Sequence, residues 1–87
     1  MNPRVVSVVP LPDYCLELHF TNQEKRFFNV KPYLSFGIFS ELKDGNLFNR
    51  VKSGNGGVWW PNDIDLGPNT LYLESVSDLV ELNSRLG

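Results

Sequence analysis

The sequence predicts a small α+β domain: a mostly antiparallel sheet of two hairpins, with one or two short helices packed on it and a C-terminal helix. Residues 14–20 alternate apolar and polar side chains, which is typical of a half-buried strand. Asn55-Gly56 lies between two extended segments, and this dipeptide is the strongest local hairpin signal. From residue 32 onward, apolar residues recur at helical three- and four-residue intervals.

The length of the chain fits one compact domain, and we expect residues 1–87 to form a single unit. Aromatic residues make up 13% of the chain. A domain this short buries a limited share of its surface, so large aromatic side chains are an economical way to build its core.

Three strands are predicted in the first third of the chain. Residues 4–9 form a β-branched run bounded by prolines, which predicts a short, well-buried strand. The second strand places four apolar side chains on one face: Tyr14, Leu16, Leu18 and Phe20. Residues 21–24 supply a turn in which Asn22 takes a positive φ at low cost, and residues 25–30 return as the third strand.

The rest of the chain is predicted to be helical segments, a hairpin and a final helix. One or two short helices follow Pro32, and residues 51–52 pair with residues 58–60 across the Asn-Gly turn. Residues 61–69 form an acidic, turn-rich loop, and the pattern leaves the state of residues 70–75 open. The C-terminal helix starts near Ser75, with Asp78 three residues on, and stops at Gly87.

The charge pattern argues against direct contact with nucleic acid. The net charge is −2, and the charged residues are scattered along the chain. One local basic patch stays open, if two segments lie side by side; a solvated face is the more frequent outcome for such residues. Its members would be Lys25, Arg26, Lys31, Arg50 and Lys52.

The cysteine count and the N-terminal residues predict a cytoplasmic location. Cys15 is the only cysteine, so the chain alone forms neither an internal disulfide nor a cysteine-based zinc site, and a reducing environment fits best. The N-terminal residues lack a signal-peptide pattern, and no segment has the roughly 20 apolar residues of a membrane span. We expect a cytoplasmic protein with no membrane contact.

No catalytic or metal-binding pattern withstands a geometric test, so we expect no enzymatic activity and no cofactor. Cys15 and His19 lie on one predicted strand about 13 Å apart, too far for a nucleophile and its base. Asp63, Asp65 and Glu74 match three positions of a calcium loop, but Gly67 and Pro68 occupy positions where that loop needs an oxygen ligand and a glycine. The glycines of residues 54–57 precede a strand and lack the Lys-Ser/Thr pair of a phosphate loop.

The adjacent tryptophans are the most suggestive feature. On a strand, Trp59 and Trp60 point to opposite faces, so both are buried only if both faces are covered. An exposed tryptophan beside Pro61 would be a rigid aromatic anchor of the kind that concentrates binding energy at interfaces. The sequence does not decide which of the two is exposed, or whether both are buried.

The order of these signals resembles the bacterial family numbered 2442 among the domains of unknown function. The segments that carry the resemblance are RVVSV, DYCLELHF, FFNVKPYL, GIFSELKD, LFNRV and VWWPNDIDLGPNTLYLES. The family favours Asn-Gly in the first hairpin, where this chain has Asn22-Gln23, and an acid where Asn29 stands. Asp65 does match the aspartate that follows the Trp-Pro pair in the family.

The resemblance implies a compact α+β fold and a gene context shared with small toxin-like partners. It also implies that some relatives carry an added helix-turn-helix module. The first functional hypothesis is therefore a non-enzymatic interaction module, antitoxin-like or regulatory, that binds a protein partner or itself. Its proposed surface consists of Trp59, Trp60, Tyr33, Asp63 and Asp65.

The alternative hypothesis is a small-ligand-binding or catalytic domain with a pocket near the tryptophan pair. Carboxylates from Asp63 and Asp65 against aromatic walls would suit cationic or sugar-like groups. A chain of this size would build such a pocket mainly at a dimer interface.

Overall fold

The computed structural model describes residues 2–86, with side chains through residue 82. In this part of the chain the strands form two antiparallel three-stranded sheets, β1-β2-β3 and β4-β5-β6. The strands are β1 (Val5–Leu11), β2 (Cys15–Phe20), β3 (Lys25–Asn29), β4 (Lys52–Gly54), β5 (Gly57–Trp60) and β6 (Ile64–Leu66). The predicted α+β class is confirmed, with the two hairpins divided between two sheets.

The helices are short and connect or cover these sheets. The α-helices are α1 (Gly45–Phe48), α2 (Pro68–Glu74) and α3 (Leu79–Leu86). Three 3-10 helices occupy Pro12–Tyr14, Lys31–Tyr33 and Gly37–Lys43. The helical segments predicted after Pro32 are thus present, and most of residues 70–75 belongs to α2. No helix within residues 2–86 is long and apolar enough to cross a membrane.

Strand β1 is mostly exposed or half-buried, whereas the sequence predicted a well-buried strand. Only Val5 is buried along its length, and Val6 and Val9 are exposed. The physical reason is that β1 lies at the edge of its sheet away from Val76 and α3, which cover the other edge at β3, and a register shift between Val5 and Ser7 interrupts its pairing with β2. The strand also continues through Pro10, which an edge strand tolerates because the missing N–H can lie on its unpaired side.

Two turn predictions need correction. In the β2–β3 turn the positive φ falls on Gln23 rather than Asn22. The Asn22 side chain instead accepts a hydrogen bond from the backbone N–H of Glu24 at 3.1 Å, which holds the turn in an Asx-type arrangement. Tyr14, predicted on strand β2, lies in the preceding 3-10 turn with φ 62° and packs edge-on against Phe48.

The C-terminal helix begins later than predicted. Its first turn is capped by Asp78, whose carboxylate accepts from the backbone N–H of Val80 at 2.8 Å. Ser75 does not start the helix, because Val76 forms a two-bond antiparallel bridge with Phe27 of β3. The predicted stop at Gly87 lies outside the described residues.

The main core lies between the two sheets. It gathers the inward side chains of both sheets with residues from the connecting helices: Leu16, Leu18, Phe20, Phe28, Val30, Leu42, Phe48, Val58, Trp60, Ile64, Leu66 and Leu71, among others. A smaller cluster on the opposite face of the first sheet joins Cys15 and Phe27 to Val76 and Leu82. Helix α3 therefore covers part of the face that the second sheet leaves free.

A polar network fastens α2 and the segment after it to the first hairpin. The Arg26 guanidinium donates to the Ser75 hydroxyl and to the Ser75 carbonyl, both at 2.7 Å, and to the Glu24 carboxylate at 3.1 Å. The Tyr72 hydroxyl donates to the other oxygen of Glu24, and the Arg26 guanidinium lies 4.7 Å from the centre of the Tyr72 ring. Half-buried charge-assisted bonds of this kind are stronger than neutral ones.

The two sheets meet along β1 and the tip of the β4–β5 hairpin. The backbone N–H of Val5 donates to the carbonyl of Gly56 at 2.8 Å, and the Ser53 hydroxyl donates to the carbonyl of Val6 at 3.3 Å. Asn55 and Gly56 both have positive φ, 52° and 82°, as a tight two-residue hairpin turn requires. These contacts fix the second sheet against the first.

Candidate binding surface

The two adjacent tryptophans differ in burial. Trp60 is buried, and its indole N–H donates to the backbone carbonyl of Phe48 at 3.0 Å. Trp59 points to the opposite face of β5 and leaves 43% of its surface exposed. The second sheet is covered by the core on one face only, so strand alternation places one ring inside and the other outside.

Trp59 lies at the centre of a row of three side chains on the outer face of the second sheet. In the antiparallel register Lys52 of β4 and Asp65 of β6 are its direct neighbours on either side. All three residues are exposed. Adjacent strands are about 4.8 Å apart, so this surface presents a cation, an aromatic ring and a carboxylate in order within roughly 10 Å.

Glycines determine how the Trp59 ring lies on the sheet. Its Nε1 atom is 2.7 Å from the position that a Cβ atom would occupy at Gly54, so the ring rests directly over that glycine. At Gly57 a Cβ atom would overlap the carbonyl oxygen of Leu66 and come within 3.3 Å of the Gly67 Cα atom. The absence of side chains at residues 54 and 57 therefore allows both the ring and β6 to approach the hairpin closely.

Two shallow depressions flank Trp59 and Asp65. The first, about 180 Å³, has Trp59, Asp65, Pro68 and three glycines among its lining residues, and we call it the glycine groove. Its glycines are Gly54, Gly57 and Gly67. The second depression, about 200 Å³, lies over the turn that joins β5 to β6 and includes Asp63. Trp59 and Asp65 line both, so they are the residues that the two depressions share.

The chain matches the model of a family described as a protein of unknown function (DUF2442) over residues 5–77. The chain belongs to the DUF2442 family. The resemblance drawn from the ordered segments is therefore confirmed. Comparison with curated proteins and with solved structures gives no significant match. The DUF2442 match spans both sheets and α2, so every residue of the row and of the glycine groove lies inside it.

Tyr33 is not part of the Trp59 surface of this DUF2442 protein. It lies in the 3-10 helix after β3, packs against Phe28 and Phe39, and lines neither depression beside Trp59. Its hydroxyl donates to the Glu74 carboxylate at 2.6 Å. Partial burial, with the Glu74 carboxylate as the second cause, raises the pKa of Tyr33 to about 12. Tyr33 thus fixes the end of α2 against the loop that follows β3.

Of the other predicted site residues, some lie on the Trp59 surface and some do not. Asp63 is exposed in the β5–β6 turn with φ 62° and lies beside the row rather than in it. Asp65 is in the row. Trp60 has no surface to offer a partner, because its ring is fully buried against Phe48. The structure therefore brings together Trp59, Asp65 and, at its margin, Asp63.

Cys15 and His19 occupy the positions on β2 that their spacing predicted. His19 is paired with the Glu17 carboxylate at 2.8 Å, two residues away on the same face. Cys15 is buried under α3, and this burial, with the Asp13 carboxylate as the second cause, raises the pKa of its thiol to about 11. Within residues 2–86, no three or more His, Cys, Asp or Glu residues are grouped as metal ligands.

Lys52 and the three glycines of the groove were not predicted to lie beside Trp59. The signal for three of them was present: a two-residue turn at Asn55-Gly56 pairs Gly54 with Gly57 and Lys52 with Trp59. The place of Asp65 and Gly67 depends on β6, which the sequence analysis treated as loop. Because β6 was not predicted, the sequence pattern offered no reason to place Asp65 next to Trp59.

Proposed function

We propose that this DUF2442 protein is a non-enzymatic interaction module, antitoxin-like or regulatory, that binds a protein partner through the row Lys52–Trp59–Asp65. We further propose that it acts in the cytoplasm. The antitoxin-like or regulatory character rests on what the family resemblance implies. The location of the surface rests on the structure of the second sheet.

The observation that carries the proposal is an exposed tryptophan that is already fixed in place. Trp59 is 43% exposed, yet Gly54 lies beneath its ring and strands β4 and β6 lie on either side. A preorganised ring loses little conformational entropy on binding, and tryptophan is among the residues most enriched in interface hot spots. The flanking charges give the surface a direction, because a complementary partner must place an acid near Lys52 and a base near Asp65.

Two other exposed apolar residues, Phe36 and Ile38, lack this support. Phe36 is 65% exposed and directly precedes the 3-10 helix Gly37–Lys43, and Ile38 is 43% exposed and lies in the first turn of that helix, beside Gly37 with its positive φ of 48°. Neither belongs to a strand ladder. They serve as comparison residues for the proposed surface.

The geometry supports the small-ligand alternative less well. Pockets for small molecules usually enclose about 300–1,000 Å³, whereas the depressions beside Trp59 measure about 180 and 200 Å³ and are open to solvent. A partner that covers the surface suits these dimensions better than an enclosed metabolite.

The charges also favour a protein over a nucleic acid. Of the five basic residues that could have formed a patch, Arg26 is bound to Ser75 and Glu24, and Lys31 is paired with Asp13 at 2.7 Å. Strand β3, which carries Lys25 and Arg26, and strand β4, which begins with Lys52, belong to different sheets. The basic residues are therefore divided between separate parts of the molecule.

The proposal is tested by affinity capture of the tagged protein from its native lysate, followed by mass spectrometry. We expect one partner protein to be recovered with the parent in a stoichiometric amount. Its recovery should be lost with Trp59→Ala and retained with Phe36→Ala, which serves as the matched control at an exposed aromatic residue. Both variants are first compared with the parent by circular dichroism and thermal unfolding. Equal recovery of the protein by the folded Trp59→Ala variant and the parent would contradict the proposed surface.

A further inference from the structure

We propose that the glycine groove accepts an arginine side chain of the protein partner, with the guanidinium group against Trp59 and Asp65. The inference rests on the proposed function and specifies the chemistry that the partner presents. Three properties of the groove carry it: an aromatic wall, a carboxylate available to a ligand, and three glycines in its lining.

The aromatic wall is the ring of Trp59. Tryptophan is the best of the aromatic side chains for holding a cation over its face, and a planar guanidinium also stacks on it. Because Gly54 lies under the Nε1 edge of the ring, the wall keeps its position in the absence of a partner. A ring that is held in place recognises a planar group better than one that samples several rotamers.

The carboxylate is that of Asp65, the direct cross-strand neighbour of Trp59. It is exposed and has no ion pair or side-chain hydrogen bond with any residue in the described part of the chain. Lys52, on the other side of Trp59, is two strands away from Asp65 and does not neutralise it. A guanidinium can pair with such a carboxylate through two parallel hydrogen bonds, which an ammonium cannot.

The glycine-lined part of the groove selects a slender group. The depression that Gly54, Gly57 and Gly67 line beside the ring measures about 180 Å³, which is below the size of a pocket for a free small molecule. A guanidinium on its extended three-carbon stem fits a groove of this kind, since the stem can lie along apolar surface such as Pro68.

Insertion of a side chain also agrees better with the structure than addition of a strand. The second sheet has two edge strands, β4 and β6, and β4 lies against β1, so a peptide that extended the sheet would pair with β6. Ile64 is 1% exposed and Leu66 is 7% exposed, so most of that strand is covered already. Asp65, whose side chain points outward, is the exposed residue of β6.

The test is a titration of the full-length, ¹⁵N-labelled protein with Nα-acetyl-arginine N-methylamide, followed by NMR. We expect the Trp59 indole N–H and the Asp65 backbone N–H to shift, while the Trp60 indole N–H, which is bonded to Phe48, does not. The citrulline compound, which keeps the shape without the charge, should bind roughly ten-fold more weakly, as expected for the loss of a charge-assisted hydrogen bond.

Two aspartates two residues apart supply the matched variants. Asp65→Asn should lower the affinity for the arginine compound roughly ten-fold. Asp63→Asn, which changes the neighbouring depression, should leave that affinity within about two-fold of the parent value. Equal shifts with the arginine and citrulline compounds, tighter binding of the corresponding lysine compound, or no shift at all would overturn the inference.

The inference and the proposed function fail separately. If Trp59→Ala abolishes partner capture but the arginine and citrulline compounds behave alike, the interaction surface stands and the arginine groove is overturned. If Trp59→Ala leaves partner capture unchanged, the proposed surface is overturned and the inference with it.

Discussion

The indole Nε1 atom of Trp59 lies 2.7 Å from the point where a Cβ atom would stand at Gly54. The ring therefore occupies space that any other residue at position 54 would fill. This contact runs diagonally across the β4–β5 hairpin, from Gly54 beside the turn to Trp59 opposite Lys52. It gives an exposed aromatic residue a defined position. Gly54 is in this sense part of the surface that Trp59 presents.

We expect Gly57→Ala to destabilise the protein by more than about 2 kcal/mol, because the new methyl group would overlap the backbone carbonyl of Leu66 and push β6 away. Urea unfolding followed by circular dichroism measures the loss. Gly45→Ala is the matched control, since a Cβ atom there meets no atom within 4 Å. Equal unfolding midpoints for the two variants would show that β6 does not approach the hairpin as closely as described.

The parts of the fold that the sequence predicted are those with local signals. Alternation in residues 14–20 predicted β2, and Asn55-Gly56 predicted the hairpin whose turn residues have positive φ. Strand β6 spans three residues, Ile64–Leu66, which is too short for an alternating pattern to stand out beside the turn that precedes it.

What the sequence could not supply depends on tertiary packing. Alternation separates Trp59 from Trp60, but the inward one is decided by where the Phe48 carbonyl and the core lie. The exposure of Val6 and Val9 likewise depends on β1 being at the edge of its sheet, and β-branched composition alone says nothing about strand order.

The difference in burial between Trp60 and Trp59 predicts that the same substitution has a large effect on stability at one position and a small effect at the other. Trp60→Phe removes the indole N–H that satisfies the Phe48 carbonyl and leaves unfilled space, so we expect a loss of about 2–4 kcal/mol in the free energy of unfolding. Trp59→Phe should change it by less than about 0.5 kcal/mol, because that ring is partly exposed. Chemical unfolding of both variants checks the difference, and a larger loss for Trp59→Phe would reverse the assignment.

Arg26 should be the basic residue on which stability depends most clearly. Arg26→Gln removes the bonds to Ser75 and Glu24, and we expect a loss of about 1.5–3 kcal/mol. Arg50→Gln, at an exposed position without a side-chain bond to the described residues, should be nearly neutral and serves as the control. The two unfolding midpoints decide the matter; a neutral Arg26→Gln would mean that the network does not hold α2 in place.

Glu24 should make stability depend on pH in the acid range. The hydrogen bond from Tyr72 and, next, that from Asn22 lower the pKa of the Glu24 carboxyl below its ordinary value of 4.5. Its stabilising effect is therefore complete above pH 4.5 and is lost as the pH falls through the lower folded-state pKa. Unfolding midpoints of the parent and of Glu24→Gln, measured from pH 7 to pH 3, should converge at the acid end. A constant difference across that range would contradict this role.

The most direct measurement of the central claim is the affinity of the purified partner for the parent protein and for Trp59→Ala, by isothermal titration calorimetry. The account predicts at least about a ten-fold loss for Trp59→Ala, as expected of an interface hot spot. It predicts a smaller but measurable loss for Gly54→Ala, whose methyl group displaces the ring, and no loss for Phe36→Ala. Affinities within two-fold of the parent for all three folded variants would contradict the claim that the Trp59 surface binds the partner.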